Sequence, residues 1–207
     1  MLEMIKPMDI ENRSFAIITE LLGDNQPDPE TAPVVKRVIH TTADFEYREN
    51  LVFSEHAVQK GIEALRQGCH IVTDTHMAMA GINKTVLGRL GGEVHCFMSD
   101  PDVAEEAKSR GITRAVVSME RSAALDKPCI FAIGNAPTAL IALKDLMDAG
   151  KVKPALIIGV PVGFVNVVES KERILGCDVP YIVARGRKGG SNVAAAICNA
   201  MLYQISR

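Results

Sequence analysis

His40 is the strongest candidate in this sequence for a residue that moves a proton. Arg37 precedes it by three residues, so helical spacing places both side chains on one face, where they can address one ligand. The C-terminal end of a helix favours a charged imidazolium, whereas Arg37 opposes it, and an anion bound to Arg37 would relieve that opposition. Because histidine titrates near neutral pH, His40 suits a general acid. On local spacing alone, this catalytic role is one interpretation among others.

Three glycine-bearing loops are candidate binding elements, because each follows a strand-like run and precedes a helix-like one. They are 134–138 (GNAPT), 159–164 (GVPVGF) and 185–192 (RGRKGGSN). In the first, free backbone N–H groups can face an anion. The last concentrates cations and glycines, which suits a carboxylate or phosphate, although a flexible solvated turn has the same composition. Neither GxxxxGK[ST] nor a strand-linked GxGxxG occurs, so nucleotide binding has no specific support.

The other histidines and the cysteines form no metal-binding or nucleophilic pattern. Asp74-Thr75-His76 begins like the DxHxxG motif of cobalamin-binding modules, but Gly81 stands two positions too late, and a loop histidine is the simpler interpretation. His70 and His95 suit hydrogen-bonded structural roles in strands. No GxSxG nucleophile elbow is present. We predict no metal site, and five reduced thiols that lack any CxxC spacing.

Composition argues against several function classes. The 207 residues are 47% hydrophobic and 23% charged, an ordinary globular balance. A net charge of -2 and an aromatic content of 4%, without Trp, argue against nucleic acid or an anionic membrane as a partner. The N-terminus lacks the apolar region of a secretory signal, and glycine and proline interrupt the longest apolar stretch, 155–165. We expect a soluble, cytoplasmic protein.

The elements that must position these residues change character along the chain. The first seventy residues predict helices at 9–22, 31–42 and 54–68; on the first, Ser14 falls on a stripe with Ile10, Ile17 and Leu21. Apolar runs then predict buried strands at 70–73, 93–98, 129–133, 155–160 and 181–184. Predicted helices at 101–110, 138–149, 165–175 and 191–205 lie between or after them, and Arg114 opens one more.

We expect one domain over residues 1–207, a three-layer α/β/α fold. Its sheet would be doubly wound, five-stranded, parallel and flavodoxin-like, with extra N-terminal helices.

Several segments, taken in order, resemble the precorrin-8X methylmutase (cobalt-precorrin-8 methylmutase) family. The resemblance covers about residues 9–202, nearly the whole chain. The segments that carry it are 11–18 (ENRSFAII), 37–40 (RVIH), 51–54 (LVFS), 132–140 (AIGNAPTAL), 159–165 (GVPVGFV), 169–172 (ESKE), 179–181 (VPY) and 185–191 (RGRKGGS). Each segment is modest alone, but their order and spacing together are specific.

The resemblance implies an isomerase of cobalamin (vitamin B12) biosynthesis. Such an enzyme moves a methyl group on a corrinoid from C11 to C12 by a [1,5]-sigmatropic shift, giving hydrogenobyrinic or cobyrinic acid. The family's catalytic histidine falls on His40, and its substrate-contacting serine and arginine fall on Ser14 and Arg37. The resemblance further implies a homodimer with its site near the interface, and no separate cofactor.

The macrocycle is an apolar disc fringed by carboxylates, so its site needs an apolar cleft with dispersed cations and N–H donors. Ser14 would be a polar contact in that cleft. Beyond the family's motifs, we assign Arg114, Asn135 and Arg185 to peripheral carboxylates. Two other functions stay open: a tetrapyrrole carrier without turnover, and a nucleotide-dependent α/β enzyme. The sequence does not decide whether the substrate contains cobalt, nor what role His76 has.

Overall fold

The computed structural model of the chain describes Lys6 and residues 9–206. The N-terminal segment predicted not to be a secretory signal lies mostly outside these residues. The helices are α1 (Ile10–Leu22), α2 (Ala32–Thr42), α3 (Tyr47–Asn50), α4 (Ala57–Arg66), α5 (His76–Gly81), α6 (Lys84–Arg89), α7 (Pro101–Arg110), α8 (Arg114–Ser122), α9 (Pro137–Asp148), α10 (Val167–Glu172) and α11 (Ser191–Ser206). The strands are β1 (Leu51–Phe53), β2 (His70–Thr73), β3 (Val94–His95), β4 (Cys129–Ile133), β5 (Leu156–Gly159) and β6 (Tyr181–Ala184).

The sheet has six strands in the order β1-β6-β5-β4-β2-β3. Strands β2 to β6 pair in parallel, whereas β1 pairs antiparallel with β6, with Leu51 opposite Ala184. The prediction of a five-stranded, purely parallel sheet is therefore wrong by one strand. The missed strand has three residues and directly follows the short helix α3, so it offers no periodic pattern to detect.

Helices cover both faces of the sheet because adjacent strand residues point in opposite directions. In β4, Ile130 packs into the core beneath α1, α2, α4, α5, α6 and α11. Its neighbour Phe131 packs into the second core, with side chains from α8 and α9. Buried strands in parallel sheets have this continuous apolar character. The α/β/α layering therefore follows from runs such as CIFAI, in which every residue is buried.

Helix α1 lies over the first of these cores on its Ile18 and Leu22 side, and both residues are buried. The stripe identified in the sequence, Ile10, Ile17 and Leu21, is instead exposed. Ser14 lies on that side of the helix and is partly buried. The apolar stripe of α1 is thus an outer surface of this chain.

The carboxyl ends of β2 and β4 define the crevice of the sheet. After β2 the chain adds β3 on one side and then crosses to place β4 on the other side of β2. Such a switch in direction leaves a gap beyond the strand ends, where ligands bind in open α/β sheets. The loops after β2, β4, β5 and β6 meet at this edge.

Candidate active site

Arg37 and His40 lie on the side of α2 that faces away from the core, because the other side of the helix is buried. Val34, Val35, Val38 and Ile39 are buried, which turns the residues between them toward α1 and solvent. Pro33 stands in the first turn of the helix. Ala43, in the left-handed conformation at φ 54°, ends it by donating its N–H to the Ile39 carbonyl. His40 is therefore exposed in the last turn, where the helix end favours a cation.

Arg37 is joined to α1 by a two-pronged ion pair with Glu11. The guanidinium donates to the two carboxylate oxygens at 3.2 and 3.0 Å. Only 12% of the Arg37 side chain and 33% of the Glu11 side chain are exposed. A bidentate arrangement fixes the plane of the guanidinium as well as its position. The charge on Arg37, expected to oppose a charged His40, is thus compensated from within the chain.

Phe15 connects Arg37 and His40. The Arg37 Cζ lies 4.7 Å from the centroid of the Phe15 ring and 5.1 Å from that of Tyr203. The His40 imidazole stacks on Phe15 with centroids 5.3 Å apart and planes 14° apart. Sequence reasoning missed Glu11, Phe15 and Tyr203. The ENRSF segment could have indicated the first two, because Glu11 and Phe15 stand one helical turn apart and so lie on one face of α1.

Ser14 occupies the neighbouring position on α1, three residues after Glu11 and hence on the same side of the helix. Its hydroxyl donates to the Ile10 carbonyl at 2.9 Å. The oxygen can still accept a hydrogen bond from a ligand. The contacts between α1 and α2 thus join Arg37 and His40 through Glu11 and Phe15, whereas Ser14 stands one helical turn from Glu11 with a hydrogen bond inside α1.

A shallow, mostly apolar depression of about 360 Å³ opens beside Arg37, between α1, α2 and α11. Phe15, Pro33, Lys36, Arg37, Ala200, Tyr203 and Gln204 line it. Drug-sized ligands occupy clefts of roughly 300–1,000 Å³.

Asp74 fills the loop predicted to receive an anion. Its buried carboxylate accepts the N–H groups of Gly134, Asn135 and Ala136 at 2.9, 2.8 and 2.6 Å. Burial raises the pKa of Asp74, and these three hydrogen bonds oppose that rise. The expectation that the N–H groups are free is therefore wrong, because the chain supplies its own carboxylate from the end of β2. Asn135 itself is exposed.

The other two predicted contacts lie on separate elements. Arg114 opens α8 and donates to the Met98 carbonyl at 3.2 Å. Arg185 follows β6, and its Nε lies 3.5 Å from a Glu172 carboxylate oxygen. Across residues 9–206, no hydrogen bond, ion pair or ring contact joins Arg114, Asn135 or Arg185 to His40.

The remaining titratable groups offer no alternative centre. Within the described part of the chain, no group of three His, Cys, Asp or Glu side chains is arranged to hold a metal ion. His76 Nε2 lies 2.7 Å from the Ser99 hydroxyl. Cys69, Cys129 and Cys198 are free and buried, and burial raises the pKa of Cys69 to about 12. A separate finding is that none of the described helices is long and apolar enough to cross a membrane.

Known proteins match this sequence and fold over nearly the whole chain. The family profile of precorrin-8X methylmutase matches residues 9–204. A cobalt-precorrin-8 methylmutase of Priestia megaterium is 47% identical over 95% of this chain and 88% of its own length. A precorrin-8X methylmutase of Pseudomonas aeruginosa is 42% identical over 93% of each chain. The crystal structure of precorrin-8x methyl mutase from Thermus thermophilus superposes with a TM-score of 0.86, at 38% identity, over 96% of this chain and 98% of that one. The chain belongs to the precorrin-8X methylmutase family, an isomerase family of cobalamin biosynthesis.

Proposed function

We propose that this protein moves a methyl group from C11 to C12 of precorrin-8X or cobalt-precorrin-8. The product is hydrogenobyrinic acid or cobyrinic acid, and His40 acts as general acid in a [1,5]-sigmatropic shift. One observation carries the proposal: an exposed imidazole at the end of α2, stacked on Phe15, beside an arginine whose charge is already paired.

The surroundings of His40 suit a general acid that meets a bound ligand. His40 stands in the last turn of α2, and the Glu11 carboxylate compensates the charge of the nearby Arg37 guanidinium. Stacking on Phe15 restricts the ring while the residue stays open to a ligand. The methyl group already belongs to the substrate, so the chemistry needs orientation and one proton rather than a separate cofactor.

The substrate contacts divide into an inner and an outer group. Ser14 and Arg37, at the α1–α2 junction, would hold the part of the macrocycle next to His40. Arg114, Asn135 and Arg185 would meet carboxylates at its rim. Their exposed side chains suit that role, since charged and amide donors bind carboxylates while the disc lies against apolar surface.

We also propose that the protein is a cytoplasmic homodimer, with each chain a single domain over residues 1–207. The depression beside Arg37 is too small for the whole macrocycle, so a second copy would complete the site. Exposed apolar side chains, Ile10 and Leu21 on α1 and Phe164 and Val165 after β5, support an interface with another copy. The order β3-β2-β4-β5-β6 within the sheet supports the flavodoxin-like description of its parallel part.

A visible spectrum of the purified protein with precorrin-8x tests the proposal, using the metal-free and the cobalt substrate in parallel. Wild type should convert at least one of them to the corresponding product spectrum, and the faster form identifies the route. His40→Asn should bind the pigment without converting it. His56→Asn is a matched control, since His56 is an exposed histidine just before α4 that pairs with Glu30 and Glu55 rather than with Phe15, and asparagine tolerates its left-handed backbone. Binding of unchanged pigment by wild type would instead indicate a carrier.

A further inference from the structure

Lys171, on α10, is a fully buried lysine. Its ammonium donates to the carbonyl oxygens of Gly186 and Lys188, at 2.8 Å each. Within the described residues it makes no ion pair with a carboxylate, and burial lowers the pKa of Lys171 to about 8. Burying such a group is costly unless its partners are well placed. The structural role specific to the Lys171 ammonium is therefore to fix the positions of the two carbonyls that it binds.

The loop held by Lys171 reaches the end of the helix that carries His40. The side chain of Lys188 donates to Asp44 at 2.6 Å and lies 2.9 Å from a Glu46 carboxylate oxygen. Asp44 directly follows Ala43, the residue that ends α2, and stands four residues after His40. The hydrogen bond with Lys188 lowers the pKa of Asp44, so the pair stays charged at neutral pH.

The same loop is anchored on its other side to the end of β5. The backbone carbonyl of Arg187 accepts the N–H of Gly163 at 3.2 Å, and the N–H of Gly190 donates to the Val160 carbonyl at 2.9 Å. Gly189 packs so closely on Val160 that a Cβ would overlap its carbonyl oxygen. The loop is thus positioned from two sides, and Lys171 supplies the anchors nearest to Lys188.

We propose that Lys171 is a positioning residue for His40: by holding the carbonyls of Gly186 and Lys188, it sets the Lys188 side chain against Asp44 and so fixes the end of α2. The inference rests on the proposed role of His40. A methionine would fill a similar volume without the cost of burying a charge. Only a donor group, however, can hold two carbonyls in one orientation.

Lys171→Met tests the inference, with Lys127→Met as its matched control. Lys127 also donates to a backbone carbonyl, that of Gly91. It stands just before the amino end of β4, whereas the site loops follow the carboxyl ends of the strands. Misplacement of a catalytic group by about 1 Å can cost ~100-fold in rate. We expect kcat of Lys171→Met to fall by about tenfold or more with KM within about threefold of wild type. The control should change neither constant.

The NMR resonances of the His40 imidazole provide a readout that is independent of turnover. They should shift or broaden in Lys171→Met and stay in place in Lys127→Met. Lys188→Met breaks the same line of contacts at a partly exposed side chain, so it should reproduce both effects even if Lys171→Met fails to fold. The double variant should be no slower than the slower single variant, because both changes interrupt one path.

Unshifted His40 resonances and unchanged kcat in folded Lys171→Met would overturn the inference. If that variant does not fold, the same result in Lys188→Met would overturn it. Failure of the proposed function has a different signature, since wild type itself would then show no conversion of either pigment. The imidazole resonances would still report whether Lys171 positions His40.

Discussion

The imidazole of His40 lies nearly parallel to the ring of Phe15, with their centroids 5.3 Å apart. The two side chains belong to different helices, so the stack ties the orientation of the candidate acid to the packing of α1 on α2. Arg37 contacts the same phenyl ring and is paired to α1 through Glu11. Packing of α1 on α2 therefore fixes the orientation of His40 and Arg37, the residues assigned to proton donation and substrate contact.

Phe15→Leu should slow the reaction more than it weakens substrate binding. The aromatic stack is worth about 1 kcal/mol, so losing it should lower kcat by about fivefold while leucine keeps the apolar contact. Steady-state kinetics at a temperature well below the thermal midpoint would measure this. Phe15→Tyr keeps the ring and should stay close to wild type. Equal losses in both variants would show that the stack does not orient His40.

Glu11→Gln should lower KM, which is the opposite of ordinary damage to a site, and should also lower kcat. Removing the carboxylate frees the Arg37 guanidinium for a substrate carboxylate, so KM should fall. The unpaired guanidinium now opposes a charged His40, so kcat should fall as well. Arg37→Ala should raise KM instead. Glu120→Gln is the control, because it breaks a similar bidentate pair with Arg110 on the exposed faces of α7 and α8.

The amino-acid pattern was sufficient for the central strands but not for the contacts that build the site. The bounds of β2, β4 and β6 are confirmed residue for residue, because apolar runs buried on both faces end at polar or glycine positions. The predicted strand 93–98 reduces to β3 followed by a tight helical turn at Phe97–Ser99. Short elements such as α5 and α6 were missed, since each has only six residues and no full amphipathic repeat.

The interhelical partners of the site residues depend on how helices pack, which a linear pattern does not encode. The sequence predicts Arg37 as a contact for a ligand's anion, yet its partner in the structure, Glu11, stands 26 residues away. Asp74 was considered only as the start of an incomplete motif, although it bonds three N–H groups some 60 residues away. The role of Asp74 becomes visible only once β2 and β4 are known to be neighbouring strands, because that pairing brings the end of β2 next to the loop after β4.

Asp74→Asn should destabilise the protein through the loop after β4. The amide nitrogen cannot accept the N–H groups that the carboxylate accepts, so at least one buried donor loses its partner. We expect a loss of about 2–3 kcal/mol and a thermal midpoint lower by roughly 4–12 °C. Hydrogen exchange at Gly134–Ala136 should accelerate. Asp126→Asn, an exposed aspartate just before β4, should change neither quantity. Unchanged exchange in Asp74→Asn would contradict the role of Asp74 as the anchor of this loop.

The buried ammonium of Lys171 predicts a stability change on the alkaline side. Burial lowers its pKa from 10.5 to about 8, so the folded protein releases this proton at a pH where the unfolded chain still holds it. Between those values the unfolded state binds more protons, and the free energy of unfolding must rise with pH. The contribution of Lys171 to the free energy of unfolding is therefore smallest below about pH 8 and largest above the pKa of the unfolded chain, with a difference of at most about 3 kcal/mol.

Denaturant unfolding of wild type and Lys171→Met at pH 7, 8.5 and 10 measures this contribution. Groups that titrate alike in both proteins cancel when the two free energies of unfolding are subtracted. The wild type should gain stability relative to the variant as pH rises. A constant difference across this range would mean that the lysine keeps its proton when folded, held by the carbonyls of Gly186 and Lys188 strongly enough to offset its burial.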